Sequence, residues 1–386
     1  MRRLTLVCLL VSGCTTSAPT GVPLPSPSWS RLERGPHRVG LSVLSERDSS
    51  RPSFQASSTP TPGRPMQIVV WYPAAVAAGE PATLRHYIEL SAGTLGPDSG
   101  TTERRRQLAD DFIRERLANG LGRPAIDSVL HEPMGAMLGV PRARGRFPLL
   151  VFLHTTPWGA SAMSEYLASH GFVVAAIESK GAQEAAYRLS RENLDAMVLD
   201  AAFTVSRMRR EVNVDERLGI IGMSNGSIAA VALQLVGIVP QGVVSLDGGI
   251  GERAGGTYLA QRSGGDLKKF TVPLLHLYGP DNPSLDFQYL RSYEAASRML
   301  VQVGRLRHRD FLTYGLLERA LPGAFGTAPP EASIGFEAVS RYTRNFLQWH
   351  MTGNARARRF LADSAERNAP PGLLTIERLP TRIAPP

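Results

Sequence analysis

The stretch RLGIIGMSNGSIAA, residues 217–230, joins an apolar run, a serine between two glycines and a helix-like segment. The run 217–223 predicts a strand buried on both faces of a parallel sheet, because its apolar residues are continuous rather than alternating. Residues 227–236 predict the helix that follows. The pentapeptide GMSNG at 222–226 therefore lies at a sharp strand-to-helix turn, which exposes the hydroxyl of Ser224 as a candidate nucleophile.

Apolar runs of the same kind recur along the chain. They predict further strands at 67–72, 148–154, 171–177, 242–247, 272–278 and 299–303, and amphipathic stretches predict helices at 161–169, 184–210, 284–296 and 336–350. This alternation predicts an α/β fold with a mostly parallel central sheet and helices on both faces. Residues 81–145 interrupt the alternation, and within them 107–118 predict a charged helix. This insertion either forms a cap over the site or decorates the surface.

A serine nucleophile needs a base, and the base needs a carboxylate that orients it. With a turn of this kind the order along the chain is serine, acid, histidine. Three histidines follow Ser224. His276 lies within an apolar strand and is predicted to be a core residue with a hydrogen-bond partner, while His350 closes a helix. His308 follows the last strand in a polar loop, so we predict that it is the base.

The acid and the oxyanion donors are less directly indicated. Asp247 and Asp281 each follow a strand that ends at the same edge as Ser224, so the residues alone leave both open. An oxyanion hole needs two N–H donors, one of them from the loop after strand 148–154. Pro157 in that loop has no N–H, so Thr155 or Thr156 is expected to act together with Asn225. His154, which precedes Ser224, is expected to shape the loop rather than to act as the base.

The amino terminus predicts export. Arg2 and Arg3 precede a short apolar run at 4–11 and the small residues before Cys14. This pattern is typical of a signal peptide at 1–13, and it is too short for a membrane span of about 20 residues. Residues 11–14 resemble a bacterial lipobox, in which Cys14 is acylated. We therefore expect a lipoprotein anchored at the periplasmic or outer-membrane face, with plain secretion as the alternative.

Residues 14–35 are rich in Ser, Pro, Thr and Gly, and they predict a flexible tether after the lipidated cysteine. An α/β domain is expected over 36–352, with the insertion at 81–145. The Arg- and Pro-rich residues 353–386 are expected to form a tail that wraps the surface.

The composition and charge of the chain limit the kinds of binding partner that we expect. The 386 residues are 43% hydrophobic and 20% charged, which is ordinary for a globular protein and excludes a disordered or coiled-coil chain. The net charge of +9 comes mostly from scattered arginines, without a binding motif or a single basic face, so nucleic acid is not expected as a partner. The sequence has no metal-binding or phosphate-binding motif, and no metal or cofactor is expected.

Six motifs follow one another in a characteristic order: WYP at 71–73, FPLLVFLH at 147–154, YLASHGFVV at 166–174, the turn at 222–226, LDG at 246–248 and HRDF at 308–311. Together they resemble the α/β-hydrolase superfamily, in the branch of dienelactone hydrolases and platelet-activating-factor acetylhydrolases. The likeness extends over 66–345 apart from the insertion. It implies an α/β-hydrolase fold.

The resemblance also implies roles. Acetylhydrolases place their acid in a Leu-Asp element and their base in a His-x-x-Phe loop, which match Asp247 and His308. The implied activity is that of a serine carboxylic-ester hydrolase, in which Ser224 forms an acyl-enzyme with a lipid-like or other small hydrophobic ester. For the oxyanion hole we predict the N–H groups of Thr156 and Asn225.

Two positions depart from the family pattern. Thr155 stands where the oxyanion loop usually has glycine, and Met223 stands where the turn usually has histidine or glycine. Dienelactone hydrolases proper use cysteine as nucleophile, so the serine indicates an esterase. Two alternatives remain, a non-catalytic binding lipoprotein with this fold and a serine peptidase or amidase.

Overall fold

The computed structural model describes residues 27–54, 63–75, 79–95 and 101–382. The predicted signal peptide at 1–13, Cys14 and the predicted tether up to residue 26 lie outside the described residues. In the described part of the chain, no helix combines the length and the apolar composition that crossing a membrane requires.

The described strands form one sheet. They are β1 (Arg38–Asp48), β2 (Arg64–Ala74), β3 (Pro81–Thr83), β4 (Pro133–Leu138), β5 (Phe147–Leu153), β6 (Val173–Ile177), β7 (Val214–Met223), β8 (Gly242–Leu246), β9 (Leu274–Tyr278), β10 (Arg298–Val303) and β11 (Leu374–Leu379). Their order across the sheet is β11-β10-β9-β8-β7-β5-β6-β2-β1-β4-β3. The six strands from β10 to β6 in this order are parallel, whereas β2 and β11 are antiparallel to the strands beside them.

Helices connect and cover these strands. They are α1 (Leu84–Leu90), α2 (Thr102–Ala118), α3 (Arg123–His131), α4 (Pro157–Ser169), α5 (Arg191–Met208), α6 (Gly226–Ala232), α7 (Arg253–Ser263), α8 (Gln288–Arg291), α9 (Thr313–Leu317), α10 (Ala332–Thr352), α11 (Ala355–Ala362) and α12 (Ala365–Asn368). Short 3-10 helices occur at Ser91–Leu95, Leu233–Val236, Gly249–Gly251, Leu267–Lys269 and His308–Phe311.

The parallel strands are apolar throughout because both of their faces are buried. Along β5, Leu150 and Phe152 belong to the core cluster that contains buried residues of α4 and α10. Leu149 and Val151 belong to the cluster on the opposite face, with residues of α5 and α6. Side chains alternate between the faces of a strand, so this sheet has a core on each side. The predicted α/β architecture, with helices on both faces, is confirmed.

One predicted helix is wrong. Instead of a helix over 284–296, the structure has only the single turn of α8. The N–H groups of Asp286 and Phe287 donate to the carbonyl of Gly251, at 2.9 and 3.2 Å, and Phe287 has a φ of 24°. Because these contacts fix the backbone to another loop, tertiary structure overrides the amphipathic pattern there.

The prediction of a flexible tether is also wrong for residues 27–35, because they pack against the domain. Trp29 and Leu32 are buried, with 3% and 8% of their surface exposed. The guanidinium of Arg34 forms an ion pair with Glu165, with Nη2 3.0 Å from Oε2. A buried Trp and Leu contribute to the core, so the folded domain begins before residue 36.

The tail and the insertion are both integral to the sheet. β11 pairs antiparallel with β10 from Arg298 to Val303, so the predicted tail contributes an edge strand instead of only wrapping the surface. Within the insertion 81–145, β4 pairs in parallel with β1. The predicted helix at 107–118 is present as α2, although it begins five residues earlier, at Thr102.

Candidate active site

Three neighbouring parallel strands end in the same unusual way. Each of β5, β7 and β8 is followed by a non-glycine residue with positive φ, which is 62° for His154, 52° for Ser224 and 41° for Asp247. Such conformations cost about 1–3 kcal/mol each and persist only where the surroundings enforce them. All three lie at the carboxyl edge of the sheet, where ligands bind in open α/β folds.

Hydrogen bonds to the carbonyl of Ser224 hold its turn. That oxygen accepts from the N–H of Ser227 at 3.1 Å, from the hydroxyl of Ser227 at 2.8 Å and from the N–H of Gly249 at 3.0 Å. The N–H of Ser224 itself donates to Leu246 O at 3.1 Å, which ties the turn to β8. The backbone of Ser224 is thus fixed from both sides.

The two glycines of the turn are required by close packing. A Cβ at Gly222 would lie 2.4 Å from the backbone nitrogen of Ser227, and one at Gly226 would lie 2.7 Å from Leu153 O. Both obstacles are backbone atoms that cannot move without displacing β5 or α6. The glycines therefore let the helix approach the strands closely and bring the end of β5 next to Ser224.

His308 meets Asp247 directly. Its Nδ1 lies 2.6 Å from Asp247 Oδ2, while Asp247 Oδ1 accepts the N–H of Gly279 at 3.0 Å. The Asp247 side chain is 4% exposed and that of His308 is 54% exposed. A buried carboxylate with both oxygens engaged fixes the imidazole and leaves its Nε2 without a contact to Asp247.

The loop of His308 is held by a pair that sequence analysis did not identify. Arg307 donates its backbone N–H and Nε to Asp310 Oδ2, both at 2.9 Å, and its Nη2 to Asp310 Oδ1 at 2.7 Å. Asp310 is fully buried. Because the two residues bracket His308 in a 3-10 turn, they restrict where its ring can lie. The spacing of Arg307 and Asp310, three residues apart at a helix start, was the available signal.

The other candidates occupy different environments. Asp281, the alternative acid, has a side chain that is 58% exposed and pairs with Arg305 at 3.3 Å. His276 is fully buried, and its Nδ1 lies 2.9 Å from Ser245 Oγ, which confirms the predicted core histidine with a partner. His154 lies in the cavity wall against Tyr187, with ring centroids 4.7 Å apart. Burial, and to a lesser degree the neighbouring His308, lower the pKa of His154 to about 4.

Both expected oxyanion donors lie at helix starts beside Ser224. Thr156 caps α4, where its hydroxyl accepts the N–H of Gly159 at 3.1 Å, and Asn225 precedes α6. The N–H of Thr155 is directed to Ile177 O, at 3.4 Å. Within the described residues, neither Thr156 nor Asn225 donates its backbone N–H to another backbone carbonyl. Of the two threonines left open by the sequence, Thr156 therefore has the available donor.

Ser224 and His308 line one cavity of about 1090 Å³. One wall is aromatic, and its rings contact one another: the centroids of Trp158 and Tyr314 are 4.0 Å apart, and those of Phe112 and Trp158 are 5.7 Å apart. Phe325 completes the cluster at 4.9 Å from Tyr314. Apolar walls with a few polar groups are typical of small-molecule sites. Sequence analysis missed this wall, whose rings come from four separate segments.

Charged groups line the same cavity. Arg116 of α2 is 6% exposed, and its guanidinium lies 4.0 Å from the ring centroid of Phe112 and 4.5 Å from that of Phe325. Burial lowers the pKa of Arg116, although its hydrogen bond to Glu115 opposes this effect. The other charged residues of the lining are Asp111, Glu115, Glu178, Lys180 and Arg309. The predicted insertion therefore supplies part of the cavity wall.

No cluster of three or more His, Cys, Asp or Glu side chains suited to a metal ion occurs among the residues that the structure describes.

Comparison with known proteins gives a structural neighbour. A solved ferulic acid esterase from Streptomyces cinnamoneus superposes with a TM-score of 0.58 at 19% sequence identity, over 92% of this chain and 98% of the esterase. No protein-family model matches the chain, and no curated protein sequence matches it. At this level of identity, the superposition bears on the fold alone.

The sheet order, the strand-to-helix turn at Ser224 and the nearly full-length superposition agree with one another. The chain has the α/β-hydrolase fold.

Proposed function

We propose that this protein is a serine carboxylic-ester hydrolase with Ser224 as nucleophile, His308 as base and Asp247 as the acid. The observation that carries the proposal is the 2.6 Å contact between His308 and Asp247 at the cavity that Ser224 also lines. The left-handed backbone of Ser224 supports it further, because strain of this kind concentrates at functional sites. The esterase neighbour has the same fold and is consistent with this activity.

In the first half-reaction, Ser224 Oγ attacks the ester carbonyl carbon while His308 Nε2 takes the hydroxyl proton. Asp247 then faces the N–H of an imidazolium and stabilises its charge. The carbonyl oxygen becomes an oxyanion, and the backbone N–H groups of Thr156 and Asn225 donate to it. Collapse of this intermediate breaks the bond to the alkoxy oxygen, which leaves as an alcohol with the proton from His308.

The second half-reaction repeats these steps with water. His308 removes a proton from a water molecule, whose oxygen attacks the acyl carbon bound to Ser224. The same two N–H donors stabilise the second oxyanion. The bond to Ser224 Oγ then breaks, the serine recovers its proton from His308, and the carboxylic acid is released.

We propose a lipid-like or other small hydrophobic ester as substrate. The aromatic wall formed by Phe112, Trp158, Tyr314 and Phe325 favours an apolar group near Ser224. Esters of ferulic acid belong among the first substrates to test, because the structural neighbour is named for that acid.

Export and a lipid anchor at Cys14 remain part of this proposal and rest on the sequence of the first fourteen residues. An anchor of this kind would hold the domain near a membrane surface, where lipid-like esters are available.

The test is hydrolysis of p-nitrophenyl butyrate and ethyl ferulate by the full chain and by three variants. Ser224→Ala and His308→Gln are each expected to lower kcat by about 10³-fold or more, because the two groups act as a unit. Asp247→Asn is expected to lower kcat by about 10²- to 10⁴-fold, because the imidazole loses its orientation. A serine-reactive fluorophosphonate should label the parent protein and leave Ser224→Ala unlabelled.

Asp281→Asn is the matched control, because Asp281 also follows a strand at this edge but pairs with Arg305. Its kcat should stay within about twofold of the parent. Full activity in Ser224→Ala would refute the proposed nucleophile. Faster cleavage of the matched anilide than of the ester would instead assign the site to an amidase or peptidase.

A further inference from the structure

A second cavity, of about 230 Å³, lies at the opposite edge of the sheet from Ser224. Its lining includes Leu274 and Arg298, the first residues of β9 and β10, together with residues of α10, α11 and the end of β11. Ser224 follows the carboxyl end of a parallel strand, whereas this cavity borders the amino ends. None of its lining residues lines the cavity of Ser224.

Arg298 is the most buried charged group at this cavity, with 3% of its surface exposed. Its Nη1 and Nη2 donate to the carbonyls of Arg291 and Pro380, at 3.4 and 3.1 Å. Its Nε is buried and has no hydrogen-bond partner among the described residues. A guanidinium removed from water is costly unless a negative charge compensates for it.

Two further arginines line the same cavity. Arg378 donates Nε and Nη2 to the carbonyl of Leu361, at 3.2 and 2.7 Å, and Arg358 projects from the exposed surface of α11. In the described part of the chain, Arg298, Arg358 and Arg378 form no ion pair with a carboxylate. Three neighbouring acids pair with other arginines: Glu377 with Arg291 at 2.9 Å, Glu294 with Arg382 at 3.6 Å and Asp363 with Arg367 at 3.4 Å. The backbone carbonyl of Asp363 accepts from Arg378 Nη2 at 2.8 Å.

Apart from Ser297 and His350, the remaining wall is apolar. Trp349 and Phe346 of α10 face the cavity together with Leu274, Met299 and Leu361. Phe346 and Leu361 are almost fully buried. A ligand that satisfies both parts of this lining has one negative charge for the guanidinium groups and an apolar body for the rings.

We propose that this cavity binds a small amphiphilic carboxylate, with its charge among Arg298, Arg358 and Arg378 and its apolar body against Trp349. Guanidinium groups bind carboxylates through paired N–H donors, and such charge-assisted bonds are strong where water is excluded. The site is separate from the proposed catalytic centre. Ester hydrolysis also releases carboxylates, but the inference does not depend on that activity.

The test is calorimetric titration of the full-length Ser224→Ala protein with sodium octanoate, because this variant removes turnover. Octan-1-ol and octyltrimethylammonium serve as neutral and cationic controls of the same chain length. Octanoate should bind, and both controls should bind at least tenfold more weakly. Octyl phosphate tests the other anionic head group, and tighter binding of octyl phosphate than of octanoate would overturn the carboxylate assignment.

Arg358→Gln and Arg378→Gln should each weaken octanoate binding about tenfold. Arg356→Gln is the matched control, because Arg356 is exposed on the same helix and does not line the cavity. Trp349→Phe should abolish quenching of tryptophan fluorescence by a brominated octanoate. If both arginine variants bound octanoate as the parent does, octanoate would bind elsewhere and the site would be refuted. Loss of octanoate binding on fluorophosphonate labelling of the parent protein would refute it as well.

Discussion

Ser224 has a backbone conformation that glycine adopts more readily than serine, with a φ of 52°. The hydrogen bonds to its carbonyl and the close approach of Gly222 to Ser227 enforce this conformation. In this conformation the Ser224 side chain stays partly exposed and lines the cavity beside the start of α6. The same reasoning applies to Asp247, whose φ of 41° brings its carboxylate toward His308. Local strain at this edge therefore serves the proposed chemistry.

This strain predicts that Ser224→Gly is more stable than Ser224→Ala by about 1 kcal/mol, because only glycine adopts a left-handed backbone without crowding its Cβ. Both variants lack the hydroxyl and should be inactive. Urea unfolding followed by circular dichroism measures the difference. The control pair is Ser128→Gly and Ser128→Ala on the exposed surface of α3, where alanine should be the more stable by about 1 kcal/mol. The argument would be contradicted if the glycine and alanine variants had the same order of stability at position 224 as at position 128.

The sequence indicates Ser224 and His308 of the proposed triad more clearly than Asp247, for physical reasons. Ser224 is indicated by its two glycines and its setting between strand and helix, and His308 by its polar loop after the last strand. Asp247 and Asp281 could not be separated from the residues, because both follow strands that end at one edge. Their separation depends on three-dimensional contacts, since Asp247 reaches His308 and Gly279 while Asp281 reaches Arg305. The resemblance to the acetylhydrolase branch favoured Asp247.

Whether a strand could be predicted from the sequence depends on how far its residues are buried. Strands β5 to β10 are apolar on both faces and are visible in the sequence. β1 was missed, because only a short run at 39–41 is buried and the residues after it are mostly half-buried or exposed. The edge strand β11 was assigned to a tail, since its residues are only partly buried. The aromatic wall was also missed, because its rings lie on α2, α4, α9 and the loop after α9, which come together only in the folded protein.

The contribution of α2 to the cavity of Ser224 gives a prediction about substrate choice. Phe112→Ala should raise KM for ethyl ferulate and other bulky esters about tenfold, because the truncated side chain loses contact with an apolar group. It should leave kcat within about threefold, since Phe112 is not expected to contact the reacting atoms. Steady-state kinetics with ethyl ferulate and p-nitrophenyl acetate measure both constants.

Leu117→Ala is the control on the same helix, because Leu117 is exposed and does not line the cavity. Its KM values should match the parent for both esters. If Phe112→Ala lowered kcat for the small acetate ester as strongly as for ethyl ferulate, α2 would act on the chemistry rather than on binding.

At the scale of the whole molecule, several histidines are buried or half-buried and have lowered pKa values. Burial lowers the pKa of His154, His170, His276 and His350 to about 4 each, and at His170 the charge of Arg344 adds to the effect. They lie on different elements: at the end of β5, after α4, within β9 and in the last turn of α10. Unfolding exposes all of them to water and restores their ordinary pKa. As the pH falls, the unfolded chain therefore binds these protons at a higher pH than the folded chain does.

We therefore predict that the free energy of unfolding falls as the pH decreases from about 6.5 to 4. A histidine whose folded pKa lies below its unfolded value stabilises the fold fully above about pH 6.5, and this stabilisation is lost toward the folded pKa. Urea unfolding at half-unit pH steps measures the slope, to which each such histidine contributes about 1.4 kcal/mol per pH unit. His350→Gln should reduce the slope by about that amount. Depressed carboxyl pKa values, such as that of Asp48, add to the slope only below about pH 5. A free energy of unfolding that is constant between pH 7 and 4.5 would contradict the neutral burial of these side chains.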